Sequence, residues 1–252
     1  MFLRLVHVRY NHEFLSKIRE IYDKEVIPRL EKVEGCLCVC AIASDQDPEE
    51  GISLTIWKTR ENAEAYEKSG VYEQLLNKIR PYLADSTEWH VQLSKDYEVE
   101  FKPIEKEPSI TTYVAASKMS NEIPNHDQSS RMFLRIVSVF LQKGKLKEFT
   151  KIYEKDILPA LQNMEGCKFA FMTENSERED AVLCVSLWDS KENAEAYEKN
   201  GLFDDLRKKT RRTFSEFYRW KMALENELGA RVATSEDMKV DKYHVVVGKS
   251  FK

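Results

Sequence analysis

The sequence predicts an α+β protein: two tandem β-α-β-β-α-β domains whose antiparallel sheets pair into a barrel within one chain. Four observations predict it. The octapeptide ENAEAYEK occurs at Glu61–Lys68 and again at Glu192–Lys199. Sliding the chain against itself by the same 131 residues pairs MFLRLVHV with MFLRIVSV, and IYDKEVIPRLEKVEGC with IYEKDILPALQNMEGC, with no insertion across residues 1–121. Within one copy, the periodicity gives the ferredoxin-like order of strands and helices. Finally, the first strand is apolar on both faces, with Leu3 and Leu5 on one side and Phe2, Val6 and Val8 on the other. A sheet of that kind must bury both faces, one under its own helices and one against the other copy's sheet. The boundaries follow as residues 1–121 for the first domain, 122–131 for a polar linker and 132–252 for the second domain.

Taken in order, residues 2–10 alternate and form the first strand. Residues 13–33 carry Leu15, Ile18, Ile21, Leu30 and Val33 at helical spacing, with Pro28 expected to kink or restart the helix and Gly35 to end it. CLCVCAIAS is the second strand, DQDPEEG a turn and GISLTIWK the third strand. A short helix spans 60–69 and stops at Gly70, and another covers 71–83. STEWHVQL is expected to be the fourth strand and TTYVAASK a late fifth.

Composition narrows the function class. A net charge of −4 and a pI near 5.9 do not suit a general nucleic-acid binder. No apolar run approaches the roughly 20 residues that cross a bilayer. The opening MFLRLVHVRY reads as a strand and not as a signal peptide, so a cytoplasmic protein is expected. The cysteines (Cys36, Cys38, Cys40, Cys167 and Cys184) lie in apolar strand-like runs, as reduced core cysteines do. Alternation along the second strand puts the sulfurs of Cys36, Cys38 and Cys40 on one side, without the converging ligands of a metal site.

At Trp57–Leu76, W-K-T-R-E-N-A-E-A-Y-E-K-S-G-V-Y-E-Q-L-L, the chain resembles the antibiotic biosynthesis monooxygenase (ABM) domain family. The elements Pro28–Gly35 and Pro159–Gly166, of the form P-x-L-x-x-x-x-G, fit the same pattern. The resemblance covers about residues 1–95 and 132–226. Members of that family form homodimeric α+β barrels, so this chain is similar to such a dimer fused end to end. It would act as a monomeric pseudo-dimer or as a homodimer of it. The resemblance implies oxygenation of a small aromatic or quinol-like molecule in a barrel pocket, with no metal or flavin required. Haem-degrading relatives use an Asn, a Trp and a His where this chain has His7 or Ser138, Tyr66 or Tyr197, and Leu76 or Arg207. That departure argues against haem degradation by their constellation and leaves haem binding as a secondary expectation.

The candidate residues are weighed against plain packing roles. Asn62, Ala63 and Tyr66 share one face of their helix, as do Asn193 and Tyr197 in the second copy. Ala63 and Tyr66 suit packing on the sheet, while Tyr66 and Tyr197 at pocket mouths would offer phenols to a substrate oxygen, supported by Asn62 and Asn193. Trp57, Trp188, Trp89 and Trp220 recur in both copies; strand-ending tryptophans suit a core, and they also suit the wall of a pocket for a planar ring. His7, opposite Ser138, is the chain's best general base if a substrate sits nearby. Arg207, in the basic run RKKTRR, is the candidate for an anionic group on the ligand. Two other readings stand beside an oxygenase: a haem- or other small-ligand-binding protein without turnover, and a structural module that has lost its site. Positions that differ between copies (His7/Ser138, Leu76/Arg207, His90/Lys221) predict two pockets of unequal chemistry.

Overall fold

A computed structural model describes residues 1–84, 89–93, 99–103, 109–118, 132–175, 180–216 and 239–251. The linker 122–131 and Trp220 lie outside the described residues, as do the side chains of Trp89 and His90. In the first half, β1 (Phe2–Arg9) leads to α1 (Leu15–Ile21) and α2 (Ile27–Leu30). Then come β2 (Cys36–Ser44), β3 (Glu50–Trp57), α3 (Arg60–Lys68) and α4 (Val71–Ile79). Three strands follow: β4 (Trp89–Leu93), β5 (Val99–Pro103) and β6 (Ser109–Lys118). The second half repeats the pattern with β7 (Phe133–Phe140), α5 (Leu146–Ile152), α6 (Leu158–Gln162), β8 (Cys167–Asn175) and β9 (Ala181–Trp188). It ends with α7 (Lys191–Lys199), α8 (Leu202–Thr210) and β10 (Lys239–Ser250).

Eight strands close into an antiparallel barrel in the order β1-β3-β2-β10-β7-β9-β8-β6. Each half contributes a ferredoxin-like sheet, β6-β1-β3-β2 and β10-β7-β9-β8. The two are joined at both seams, β6 to β8 and β2 to β10. The fourth place in the first sheet belongs to β6, the TTYVAASK segment, which pairs with β1 through Phe2↔Val114. This corrects the expected order. STEWHVQL supplies β4, which among the described residues pairs with β5 in a separate two-stranded sheet. The alternation of that segment marks it as a strand, but pairing is a long-range property that alternation alone does not set.

The helical stretch is continuous through Pro28. A π-helical turn at Tyr22–Val26 joins α1 to α2, and the Ile27 N–H bonds to the Tyr22 carbonyl five residues back. Proline has no N–H to give and crowds the carbonyl four residues before it, and the wider turn accommodates both defects. The second copy repeats the turn at Tyr153–Ile157, ahead of Pro159.

The two faces of the barrel wall bury different things. Inside, Leu3, Leu5, Leu54 and Ile56 meet Leu134, Ile136, Phe169 and Phe171 of the other half in a filled core. Outside, Phe2, Val39 and Trp57 pack under the first copy's helices, and Phe133, Ala170 and Trp188 under the second's. At about 1.5–3 kcal/mol for each fully buried Leu, Ile or Phe, the interior binds the halves into one unit. One expectation about the cysteines fails here. A bulge between Cys36 and Cys38 breaks the alternation of β2. Cys36 therefore joins the helix-side core, while Cys38 and Cys40 pack against the barrel interior.

Candidate active site: two clefts between sheet and helices

Because the barrel interior is filled, the open space lies elsewhere. Each half holds a cleft between the outer face of its sheet and its helices, and neither lies in the barrel pocket that the sequence predicts. The first, with about 780 Å³ of empty space including its mouth, is lined by β1 residues Arg4, Val6 and Val8, by Tyr10 just beyond the strand, and by helical residues such as Tyr22 and Leu76. The second, about 520 Å³, is lined by the equivalent Arg135, Val137 and Val139, together with Tyr153, Phe203 and Arg207.

A buried arginine organises each cleft. Arg4 and Arg135 are 2% and 3% exposed, and each stands on the helix-facing side of the first strand of its copy. A guanidinium held this far from water needs a partner. The octapeptide helix supplies it: Arg4 Nε donates to Glu67 Oε1 at 2.6 Å, and Arg135 Nε to Glu198 Oε1 at 2.8 Å. Rings cover the guanidinium planes, with the Cζ of Arg4 lying 4.1 Å from the Tyr72 centroid and that of Arg135 4.2 Å from the Phe203 centroid. One donor is left over on each. Among the described residues, Nη2 of Arg4 and Nη2 of Arg135 are buried without a hydrogen-bond partner. The Tyr10 hydroxyl in the first cleft is in the same condition, as are the Tyr153 hydroxyl and Arg207 Nε in the second.

The octapeptide itself now has a residue-by-residue explanation. Asn62 and Asn193 sit where a Cβ on Gly35 or Gly166 would stand, within 2.3 Å of it, so the glycine and the asparagine fit only each other. Both glycines have φ near +80° and tie their turn to the end of the third strand, Lys58 N–H to the Gly35 carbonyl at 2.8 Å and Asp189 N–H to the Gly166 carbonyl at 2.9 Å. Ala63 and Ala194 are buried. The Tyr66 ring lies 5.1 Å from Trp57, and Tyr197 stacks 5.6 Å from Trp188. Glu64–Lys68 and Glu195–Lys199 form the expected i,i+4 pairs on the outer face. The next glutamates, Glu67 and Glu198, neutralise the buried arginines.

The structure separates the sequence candidates. Tyr66 and Tyr197 line the two clefts. Burial holds the Tyr66 phenol well above its ordinary 10.0 and pushes Tyr197 up to about 12, so both are proton-bearing donors at neutral pH. Arg207 lines the second cleft. Asn62 and Asn193 do not line the clefts; their work is at the glycines. Trp57 and Trp188 are 0% exposed, and their indole N–H groups are spent on Thr55 and Ser186 at 2.9 Å. They are therefore core and not pocket wall. His7 falls in the alternation of Leu3 and Leu5, facing away from the cleft, and is absent from its lining. The residues that sequence reasoning passed over are Arg4 and Arg135 and their glutamates. The available signal was an arginine in the middle of an apolar strand, repeated in both copies.

This architecture can be set beside known proteins. Residues 132–209 match the family model described as antibiotic biosynthesis monooxygenase. The matched residues lie in the second half of the chain. The first half is its repeat, by the unbroken sequence register and by the same strand order. The whole tandem arrangement has structural counterparts. A candidate monooxygenase from Fusobacterium nucleatum superposes with a TM-score of 0.69 at 10% identity, covering 99% of this chain and 94% of that one. A second, from Lactobacillus acidophilus, gives 0.65 at 8% identity and covers 99% and 95%. An anthrone oxidase-like protein gives 0.56 at 14% identity and covers 99% and 92%. At these identities the likeness is one of fold. No curated protein matches the sequence. Among the described residues no helix is long and apolar enough to cross a membrane.

Proposed function

We propose that the chain is a monooxygenase-like protein that binds a small aromatic, quinol-like molecule in the clefts and oxygenates it without metal or flavin. The observation that carries this reading is the unpaired Nη2 of a buried arginine in a mostly apolar cleft. A planar apolar ligand with one oxygen directed at that nitrogen would satisfy it. The matching ABM model and the fold shared with an anthrone oxidase-like protein support the same class.

The chemistry follows from the lining. Among the described residues neither cleft is lined by a histidine or a carboxylate, and the phenols of Tyr66 and Tyr197 are held protonated. Deprotonation must therefore come from the substrate's own acidity, increased by the guanidinium beside its oxygen. The resulting enolate or phenolate is electron-rich enough to reduce dioxygen. One oxygen atom is retained as a new carbonyl and the other leaves as water, so that a ring CH2 and O2 become C=O and H2O. The arginine stabilises the anion throughout, in a site that water enters poorly.

The test is oxygen uptake by chelator-treated protein supplied with an anthrone or a polyphenol. Uptake is expected from the native chain and a loss of about 100-fold from the Arg4→Met/Arg135→Met double variant, the scale of removing an oxyanion donor. Undiminished uptake in that variant would remove the arginines from the reaction. Titration with haem distinguishes the alternative: a saturating Soret change, with no oxygen uptake, would favour a haem-binding protein without turnover.

A further inference from the structure

The two clefts differ at several positions, and three of the differences bear on buried donors left without a partner. Leu76 of the first cleft is replaced by Arg207 in the second. Arg207 is held by Asp204 through Nη2 at 3.0 Å, which leaves its buried Nε without a partner. Ser53, which hydrogen-bonds the Tyr22 hydroxyl, is replaced by Cys184, and the equivalent Tyr153 hydroxyl is buried and unpartnered. The third change removes an oxygen: Tyr10 becomes Leu141. The second cleft thus presents Arg135 Nη2, Arg207 Nε and Tyr153 OH as open donors, two of them on guanidinium groups. The first presents Arg4 Nη2 and Tyr10 OH.

We infer that the clefts differ in the ligand charge they take: both accept an uncharged or phenolic ring, and the second alone binds an aromatic carboxylate tightly. A carboxylate offers about four acceptor sites and is matched by several donors with cationic assistance, whereas a phenol needs one or two. The carboxylates nearest the second cleft, Glu198 and Asp204, are each already paired with one of its arginines, Arg135 and Arg207. The inference rests on the proposed ligand-binding reading and extends it to ligand charge.

Calorimetric titration with 2-naphthoate and with 2-naphthol, rings of one size and different charge, tests it. The native chain is expected to bind 2-naphthoate at one site at least about tenfold more tightly than at its other, and 2-naphthol at both sites alike. Arg207→Leu restores the residue that the first copy carries, so the fold tolerates it. It should abolish the tight 2-naphthoate site and leave 2-naphthol within about threefold. Cys184→Ser, by giving Tyr153 the partner that Tyr22 has, should weaken the same site in the same direction. Equal 2-naphthoate affinity at both sites, or an unaltered tight site in Arg207→Leu, would overturn the inference while leaving the ligand-binding reading intact. Failure of both probes to bind would overturn both.

Discussion

Arg4 and Arg135 are the residues on which the account turns, and their partners make the first prediction. Removing Glu67 or Glu198 strands a buried guanidinium. Full burial would make that cost several kcal/mol, but Glu67 is 40% exposed and Glu198 24%, and solvent screens both. A loss of about 1–3 kcal/mol is expected in urea denaturation, larger for Glu198→Ala than for Glu67→Ala. Equal, negligible losses would mean that the pairs carry no structural weight. His7 gives the converse expectation. Because it faces the barrel side of β1, His7→Ala should leave oxygenation within about twofold, and the pH profile should lack an inflection near the histidine range. Stability should instead depend on alkali. Burial raises Cys36, Cys167 and Cys184 from 9.0 to about 12, and Tyr22 from 10.0 to about 12. The unfolded chain ionises these groups first, so the folded state holds more protons between those values. Their contribution is complete below about pH 9 and falls as pH rises toward 12. The melting temperature measured across that window should decline, and a flat profile would contradict the buried placement of these groups.

At the scale of elements, much was legible. β2 and the octapeptide helix fall where the sequence pattern puts them, because an apolar strand run and a short helix stopped by Gly70 are local signals. The fourth sheet position was not legible. STEWHVQL and TTYVAASK both alternate, and only pairing with β1 and β8 selects the second. Val114→Pro, which breaks β6 between two partners, should therefore unfold the barrel, while Val91→Pro in the β4–β5 sheet should leave its near-native circular dichroism and cooperative melting in place. The Gly35–Asn62 fit was likewise invisible to spacing arguments, since it joins a turn to a helix by direct contact. Gly35→Ala should cost more than the ~1–2 kcal/mol of left-handed strain, and Asn62→Ala in the same chain should recover the excess, a coupling read from a double-mutant cycle.

The duplication governs the whole molecule. The 131-residue register disclosed two domains and a barrel, and the apolar inner faces of Leu3, Leu5, Leu134 and Ile136 explain why neither half can stand exposed. The site was only half legible, because a filled barrel moves the usable space to the helix side. It also turns attention from His7 and the tryptophans to Arg4, Arg135 and the tyrosines around them. Counting ligands per chain tests this picture most directly. Calorimetry with 2-naphthol should find two sites in the native protein, one in Arg4→Met and one in Arg135→Met, each variant losing the cleft whose arginine is gone. Two sites retained in both variants, or one site indifferent to both substitutions, would contradict it.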